Sequence, residues 1–333
     1  MFHLSTISAL KQEMAAVDSY LKEYLSDNLE SGVVGDIVRA VGATNGKRLR
    51  PKLILMTGRF GPNYPACSDR LCRQGAVVEM THMASLIHDD IVDDSPLRRG
   101  KPTIQSRFGK AMAVYAGDLV LSRVLRLLFL NDMRESALIL SRTLEDMCRG
   151  EIGQYHCRFR PETTMEEYLS NIYGKTASMF EACCRIGAAE GGCSPEDVQL
   201  LGAFGKHLGY AFQLRDDLLD FLSSEANEGK PVHADFKEGI LTMPVLYTLH
   251  LSDYGDRLTE LIRGIRGDRV LPEQVAEMES LVQRAGGVEY TTSLIQAHGL
   301  EAEKMLAALP RRDITDFLIS KVRWLSAPIA ERV

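Results

Sequence analysis

The spacing of apolar residues along nearly the whole chain is that of amphipathic α-helices, and this periodicity limits the fold more than any other feature. Strand signals, which would be alternating β-branched runs between turns, are almost absent from the 333 residues. The prolines stand between the helical stretches, where they begin or end helices. The pattern therefore predicts an all-α fold, a single large helical bundle that forms one domain over residues 1–333.

The helical stretches can be placed along the chain. They are predicted at about 5–28, 69–92, 110–131, 134–158, 164–190 and 195–223, with shorter ones at about 242–251, 254–267, 273–285, 288–308 and 311–325. One helix start is marked clearly, because Ser194 suits an N-cap and Pro195 suits the first helical position. Glu196 and Asp197 then place acids in the first turn, where the helix dipole favours them.

Composition excludes several classes of function. The formal net charge is −6 and the isoelectric point is about 5.8, so the chain has no global attraction for nucleic acid or anionic membranes. The most apolar stretch, residues 119–130, is interrupted by Arg123 and Arg126 and is too short to span a bilayer. We therefore predict no nucleic-acid partner and no integral membrane segment.

The cysteines and the N-terminus predict a cytoplasmic protein. The seven cysteines are odd in number and show neither a CxxC pair nor a Cys/His zinc spacing. Free thiols in a reducing compartment are the simplest explanation. The first 25 residues are amphipathic and lack the apolar core and cleavage site of a signal peptide.

One acidic pattern, Asp-Asp-x-x-Asp, occurs twice, and each copy follows an apolar run. Residues four apart lie on one helix face, so Asp89 with Asp93, and Asp216 with Asp220, should direct two carboxylates the same way. Like charges so placed destabilise a helix unless a cation compensates them. Mg²⁺ binds one or two carboxylates together with water and substrate phosphates. A single copy is usually solvated surface, but two copies predict several metal ions around one diphosphate.

Basic loops accompany both acidic motifs. Arg98 and Arg99 follow the first motif, Lys230 follows the second, and the segment GKRLRP begins earlier, at Gly46. Arginine and lysine are the usual partners of phosphate oxygens. An isolated basic pair is weak evidence, but the repeated combination of acids and cations indicates metal-assisted handling of diphosphates.

With these motifs the chain resembles the trans-isoprenyl diphosphate synthases, the polyprenyl synthetase family, over nearly its whole length. The motifs, in family order, are GKRLRP, HDDIVDDSPLRRGKPT, GKTA, FQLRDDLLD and GK…D…G…TMP. The resemblance implies the isoprenoid synthase fold, an all-α homodimer with a central cavity. The implied reaction is the head-to-tail condensation of isopentenyl diphosphate onto an allylic diphosphate, with about three Mg²⁺ ions beside the bound diphosphate.

The resemblance also implies roles for individual residues. The direct Mg²⁺ ligands would be Asp89, Asp93 and Asp216. Further ligands, direct or through water, would be Asp90, Asp217 and Asp220. The allylic diphosphate would be held by Arg98, Lys175 and Lys230. Isopentenyl diphosphate would be held by Lys47, Arg50, His82 and Arg99. The developing allylic cation would face the carbonyl of Lys175 or Thr176 and the side chain of Gln213.

Some positions allow two interpretations. A lone helical histidine is more often a satisfied core residue, although His82 lies two turns before Asp89 on the same face. Glu151 and Gln154 either order water near the metals or form hydrogen bonds in the core. Ile240 stands where the family often has a lysine, which predicts a weaker contact to the second diphosphate rather than loss of activity.

Product length is predicted from the side chains just before the first acidic motif. Ala84 and Ser85 are small, where bulky aromatic residues in the family stop the product short. Thr81 and Val77 lie deeper and are modest in size, and Met80 is larger but flexible. Small side chains at these positions leave room for a longer product, and a helix of about 20 residues, about 30 Å long, does not limit its depth. We therefore expect a product of at least about twenty carbons, with about thirty to forty favoured.

Alternative functions are weighed against these motifs. A terpene cyclase or a head-to-head synthase usually has altered aspartate motifs, and a non-catalytic partner subunit would have lost them, whereas this chain keeps both copies. Two alternatives stay open: a catalytic subunit that needs a small partner subunit, and a shorter-chain synthase that makes farnesyl or geranylgeranyl diphosphate.

Overall fold

The computed structural model describes residues 2–26, 31–43, 46–222, 233–265 and 270–329. Within these ranges the chain is almost entirely helical, and the only strands form one short hairpin. The all-α prediction is therefore confirmed. Over the same ranges, none of the helices combines the length and the apolar character that a membrane span requires.

The helices follow one another with short connections. The first ten are α1 Phe2–Ser26, α2 Val33–Gly42, α3 Leu49–Gly58, α4 Ser68–Val92, α5 Ile104–Phe108, α6 Lys110–Leu130, α7 Arg134–His156, α8 Met165–Ile172, α9 Ser178–Glu190 and α10 Pro195–Leu222. The later ones are α11 Ala234–Lys237, α12 Met243–Leu251, α13 Gly255–Arg263, α14 Pro272–Ala285, α15 Gly287–Ala307 and α16 Asp313–Ser326. Strands β1 Leu97–Arg98 and β2 Lys101–Pro102 lie between α4 and α5, and a π-helical turn, Tyr173–Ala177, joins α8 to α9.

Where the structure describes their ends, the predicted helices are confirmed to within about one turn, and the predicted ends at about 28, 223 and 267 lie outside the described residues. The predicted start at Pro195 is confirmed too, because Ser194 Oγ accepts a hydrogen bond from the Asp197 backbone N–H at 3.1 Å. The longer helices missed by periodicity are α2 and α3. Helix α3 is buried on nearly every side, so it lacks the polar face on which the periodicity depends.

Residue contacts divide the chain into two compact units. Unit 1 comprises Met1–Ser141, Ala182–Gln199 and Arg312–Ile314, and unit 2 comprises Arg142–Glu181, Leu200–Arg311 and Thr315–Val333. The expectation of a single domain stays a prediction.

Unit 1 is organised around α4, which packs against α1, α3 and α6. Helix α4 is buried along most of its length, and Leu71 and Met80 on it are fully buried. Its C-terminal turn carries the first acidic motif. A long helix buried among three others is a rigid support, so it holds the motif in a fixed position.

Unit 2 contains most of α10 and the helices that follow it. Helix α12 begins with Met243 and Pro244, as suits a first helical turn, and packs against α8, α13, α14 and α15. Helix α10 buries Phe204 and Leu214 and ends at Leu222, directly after the second acidic motif. The second motif therefore also lies at the end of a supported helix.

Candidate active site

Both acidic motifs occupy the last turns of long helices, α4 and α10. We call them the first aspartate cluster, Asp89, Asp90 and Asp93, and the second aspartate cluster, Asp216, Asp217 and Asp220. Neither helix has a basic residue in its last turn. Because a helix C-terminus carries partial negative charge, carboxylates are unfavourable there unless a cation compensates them. Each cluster therefore has the composition and the position of a cation site.

The middle aspartate of the first cluster is engaged by the protein. Asp90 is only 5% exposed, and its Oδ1 accepts a hydrogen bond from Arg98 Nε at 2.7 Å. Burial raises the pKa of Asp90, and the hydrogen bond from Arg98 opposes that rise. Asp89 is half-buried and Asp93 is exposed at the end of the helix. The two outer aspartates therefore suit direct metal ligation better than Asp90 does.

The arginines after the first cluster are presented by the hairpin of β1 and β2. Arg98 pairs with Lys101 across the hairpin, and Arg99 and Gly100 form its two-residue turn with φ of 52° and 74°. Turns of this kind need positive φ at both central residues and usually contain asparagine or glycine. An arginine there is conformationally costly, which indicates that its side chain is required. Arg98 ties the hairpin back to α4 through Asp90.

His82 lies among arginines in unit 1. Its pKa is lowered to about 2, first by burial and then by nearby positive charges on Arg50, Arg99, Arg98 and Arg48. The imidazole is therefore neutral at physiological pH. A neutral histidine beside cations can hydrogen-bond a phosphate oxygen without adding charge. The structure thus brings the predicted Arg50, His82, Arg98 and Arg99 together.

Two further cations of unit 1 lie close to Arg50 along the chain. Lys47 is exposed just before α3. Arg48, to which the sequence reasoning assigned no role, belongs to the same cationic cluster, which we define as Lys47, Arg48, Arg50, Arg98 and Arg99. The only signal for Arg48 in the sequence is its place inside GKRLRP.

In unit 2 the predicted Lys175 and Thr176 lie in the π-helical turn. Gly174 in this turn packs directly on Gly150 of α7, because a Cβ on Gly174 would lie 2.8 Å from the Cα of Gly150. Two facing glycines let the backbones touch. π-Helical turns are rare and occur frequently at functional sites.

Lys175 contacts Glu151 and Gln154 of α7, the two residues for which the sequence allowed either water ordering near the metals or hydrogen bonding in the core. Its Nζ donates to Gln154 Oε1 at 2.8 Å and lies 3.3 Å from Glu151 Oε1. The structure therefore shows hydrogen bonding within the protein for Glu151 and Gln154. They position the Lys175 ammonium group.

A chain of hydrogen bonds joins three predicted residues of unit 2. Thr176 Oγ1 donates to Gln213 Oε1 at 2.6 Å, and Gln213 Nε2 donates to Asp217 Oδ1 at 2.7 Å. Tyr168, buried and absent from the predictions, donates its hydroxyl to Asp217 Oδ2 at 2.5 Å. Burial raises the pKa of Asp217 to about 6, and both hydrogen bonds oppose that rise. The network fixes the orientation of the Gln213 amide.

A fourth carboxylate joins the second aspartate cluster. The Asp220 carboxylate accepts hydrogen bonds from the backbone N–H groups of Ala234 and Asp235, each at 3.2 Å. The pKa of Asp235 is raised, first by burial and then by the charges on Asp217 and Asp220. Concentrated negative charge of this kind suits a divalent cation. Asp235 was visible in the sequence as the aspartate of GK…D…G…TMP.

Comparison with known proteins agrees with this arrangement. The family model described as Polyprenyl synthetase matches residues 33–281. A heptaprenyl diphosphate synthase component 2 from Geobacillus stearothermophilus is 34% identical over 312 residues, which cover 93% of this chain and 94% of the relative. A short chain isoprenyl diphosphate synthase from Methanothermobacter thermautotrophicus is 30% identical and is covered to 99%, with 96% of this chain.

The protein belongs to the polyprenyl synthetase family. A solved polyprenyl synthase from Caulobacter crescentus, complexed with calcium and isoprenyl diphosphate, superposes with a TM-score of 0.86 at 28% identity and covers 97% of each chain. Family membership makes this chain a prenyltransferase of isoprenoid biosynthesis, and the family generally depends on Mg²⁺. The resemblance inferred from the motifs is confirmed.

The aspartates of this polyprenyl synthetase are ligands of the kind that a magnesium ion binds. They offer hard carboxylate oxygens at helix ends, with Asp93 and Asp216 exposed. Among the described residues, however, no three acidic, histidine or cysteine side chains are arranged closely enough to hold a metal alone. A metal ion bound by the predicted ligands would therefore need water and diphosphate oxygens to complete its coordination.

Two further positions singled out in the sequence are Lys230, predicted to hold the allylic diphosphate, and Ile240, which stands where the family often has a lysine. Lys230 lies outside the described residues. Ile240 is half-buried and borders a small cavity of about 10 Å³ that Tyr168 and Asn171 also line. The Ile240 side chain therefore has a packing environment in unit 2.

The predicted product-length residues lie in the interior of unit 1. Val77, Met80, Thr81 and Ala84 are at most 1% exposed, and Ser85 is half-buried with its hydroxyl donating to the His82 carbonyl at 2.9 Å. A cavity of about 430 Å³ in the same unit is lined by residues of α1 and α2 together with Arg48 and Met83. The five predicted product-length residues are not among those that line it. Their role in product length stays a prediction.

Proposed function

We propose that this polyprenyl synthetase family member condenses isopentenyl diphosphate head-to-tail onto an allylic diphosphate and makes an all-trans polyprenyl diphosphate. The observation that carries the proposal is the pairing, within unit 1, of the first aspartate cluster with the cationic cluster. Arg50 interacts electrostatically with Asp89, and Arg98 donates a hydrogen bond to Asp90. Carboxylates for metal and arginines for phosphate thus occur side by side.

The residues divide the work by their chemistry. Ionising the allylic C–O bond requires that the leaving diphosphate be stabilised, and positive groups placed in advance do this best. Lys175, Arg98 and Lys230 are proposed for the allylic diphosphate. Lys47, Arg50, Arg99 and the neutral His82 are proposed for isopentenyl diphosphate.

The allylic cation needs different neighbours from the diphosphates. Neutral oxygen dipoles and exclusion of water would protect it. Thr176 is buried, and Gln213 is fixed by its hydrogen bonds to Thr176 and Asp217. We assign Thr176 and Gln213 to this task because they are uncharged and preorganised.

Magnesium is the proposed metal, with about three ions when a diphosphate is bound. The proposed ligands are Asp89, Asp93 and Asp216, with Asp90, Asp217 and Asp220 acting directly or through water. When bound, the metal supplies positive charge to the leaving diphosphate. The acidic helix ends support this proposal, since each lacks a basic residue of its own.

The proposed product has about thirty to forty carbons, because small side chains precede the first cluster and a helix of this length gives sufficient depth. The more similar of the two relatives described above carries the name heptaprenyl diphosphate synthase component 2, and the other is a short-chain synthase. If the surroundings of buried Ala84 leave no room for a longer prenyl chain, the product will be shorter.

A homodimer is proposed from the exposed face of α6. Tyr115, Leu125 and Phe129 lie along this helix and are 67%, 57% and 82% exposed. Large apolar side chains that are this exposed on one helix indicate a partner surface. The second candidate is a small partner subunit on the same face, which the words "component 2" in the relative's name favour.

A cytoplasmic location is also proposed. All seven cysteines are free thiols, which suits a cytoplasmic enzyme.

The experiment uses the purified chain alone. It is incubated with Mg²⁺, isopentenyl diphosphate and each allylic primer in turn, and product mass is measured, with light scattering for the oligomeric state. Condensation by a dimer supports the proposal. Absence of product with every primer contradicts a self-sufficient enzyme, and activity restored only by a partner fraction would establish the heteromeric candidate.

A further inference from the structure

A buried carboxylate that the proposed reaction does not use lies beneath the cationic cluster. Glu79, on α4 one turn before His82, is 3% exposed. Arg48 Nη1 donates to Glu79 Oε1 at 2.9 Å, and the two side chains are 15% and 4% exposed. The other oxygen, Oε2, is buried and has no hydrogen-bond partner within the described ranges. A buried acid with spare acceptor capacity is costly, so its position requires an explanation.

Glu79 lies next to two arginines of the cluster at once. A Cβ placed on Gly46 would be 3.5 Å from Glu79 Oε1, 3.6 Å from Arg48 Nη1 and 3.0 Å from Arg99 Nη1. The three charged groups therefore converge on one point beside the GKRLRP segment. Gly46 suits this point because any side chain would press on the Arg99 guanidinium.

The backbones that carry these two arginines are both strained. Arg48 has φ of 50° and Arg99 has φ of 52°, in the left-handed region that residues other than glycine rarely adopt. Such conformations persist where the surroundings hold them, and they cluster at binding sites. Glu79 provides such a hold for Arg48 through a charge-assisted hydrogen bond, and its carboxylate lies beside the Arg99 guanidinium.

We propose that Glu79 is a positioning residue that fixes the guanidinium groups of Arg48 and Arg99 for the diphosphate of isopentenyl diphosphate. The inference rests on the proposed function and adds a residue to it. Glu79 has two opposite effects on a bound anion. Its negative charge weakens the attraction for the anion, whereas its anchoring of the arginines strengthens that attraction. Neutralising Glu79 should therefore raise KM for isopentenyl diphosphate if anchoring dominates, and lower it if the charge dominates.

The decisive variant is Glu79→Gln, which keeps the shape and removes the charge. Positioning predicts that KM for isopentenyl diphosphate rises by about tenfold or more, because small misplacements of binding groups are expensive. KM for the allylic primer should stay within about twofold of wild type. An unchanged or lowered KM for isopentenyl diphosphate would overturn the proposal, since a mere counter-charge gives that result.

A matched control comes from another buried ion pair of unit 1. Glu13 forms an ion pair with Arg59, both side chains being 9% exposed, and it also accepts hydrogen bonds from Tyr64 and Ser68. Glu13→Gln should lower the thermal midpoint as Glu79→Gln does, while leaving both KM values unchanged. If Glu13→Gln raises KM for isopentenyl diphosphate equally, the effect of Glu79 is general destabilisation and the proposal fails.

Binding measured without turnover separates this proposal from the proposed function. Calorimetric titration of isopentenyl diphosphate into the purified protein, without primer, should show a weaker Kd for Glu79→Gln by the same factor as KM. Wild type that binds no isopentenyl diphosphate would refute the proposed function itself. If Glu79→Gln does not fold, Glu79→Asp and Arg48→Lys replace it, because each keeps the charges and alters the geometry. Wild-type Kd in both variants would overturn the positioning role.

Discussion

The hydroxyl of Tyr168 offers a direct test of the hydrogen-bond network in unit 2. Tyr168 is 3% exposed and donates to Asp217 Oδ2 at 2.5 Å. Tyr168→Phe removes one donor from a buried carboxylate and leaves Gln213 Nε2 as a donor to the other oxygen. A hydrogen bond to a charged group contributes about 1.5–3 kcal/mol to stability.

This free energy converts into a measurable shift. With an unfolding entropy of about 2.1 cal/mol/K per residue, a chain of 333 residues should lose about 2–4 °C in its thermal midpoint. Turnover should fall by about tenfold as well, because Gln213 is held less firmly when Asp217 moves. The measurements are scanning calorimetry and steady-state kinetics at about pH 8, where Asp217, with its pKa of about 6, is ionised.

The control is Tyr290→Phe in the same unit. Its hydroxyl donates only to the Met165 thioether, at 3.9 Å, so removal should change stability by less than about 0.5 kcal/mol and leave turnover unchanged. The reasoning is refuted if Tyr168→Phe retains wild-type stability and turnover. It is equally refuted if Tyr290→Phe loses as much as Tyr168→Phe, since the loss would then not depend on Asp217.

Three further predictions concern the aspartate clusters, a buried histidine pair and the product-length residue Ala84. Asp89→Ala or Asp216→Ala should lower turnover by at least about 10² with the circular dichroism spectrum unchanged, and excess chelator should abolish activity; normal turnover in chelator would contradict the metal role. The Nδ1 atoms of His207 and His298 lie 3.0 Å apart, and burial lowers the pKa of His207 and brings that of His298 to about 4. Since unfolded histidine titrates near about 6.5, the free energy of unfolding should fall as pH drops from about 6.5 to about 4, and a His298→Gln variant with the same decline would disprove this. Ala84→Phe should shorten the product with catalysis retained, as measured by product mass, and its full burial also predicts a lower thermal midpoint from overpacking; a product equal to wild type would contradict the pocket hypothesis.

Periodicity and motif spacing predicted a large part of this protein. The long helices, the helix start at Pro195 and the family were all readable, because helix faces repeat every 3.6 residues and the acidic and basic motifs lie in short segments. What a local pattern encodes is the face on which a side chain lies.

The partners of those side chains were decided by tertiary structure. Asp90 and Asp217 look like their neighbours in the sequence, yet Asp90 accepts a hydrogen bond from Arg98 on the hairpin and Asp217 accepts one from Tyr168 on a different helix. Glu79 shows no sign of its contact with Arg48, which lies 31 positions earlier. Hydrogen bonding and burial depend on which atoms meet in space, and residues far apart in the chain meet only when the helices that carry them have packed.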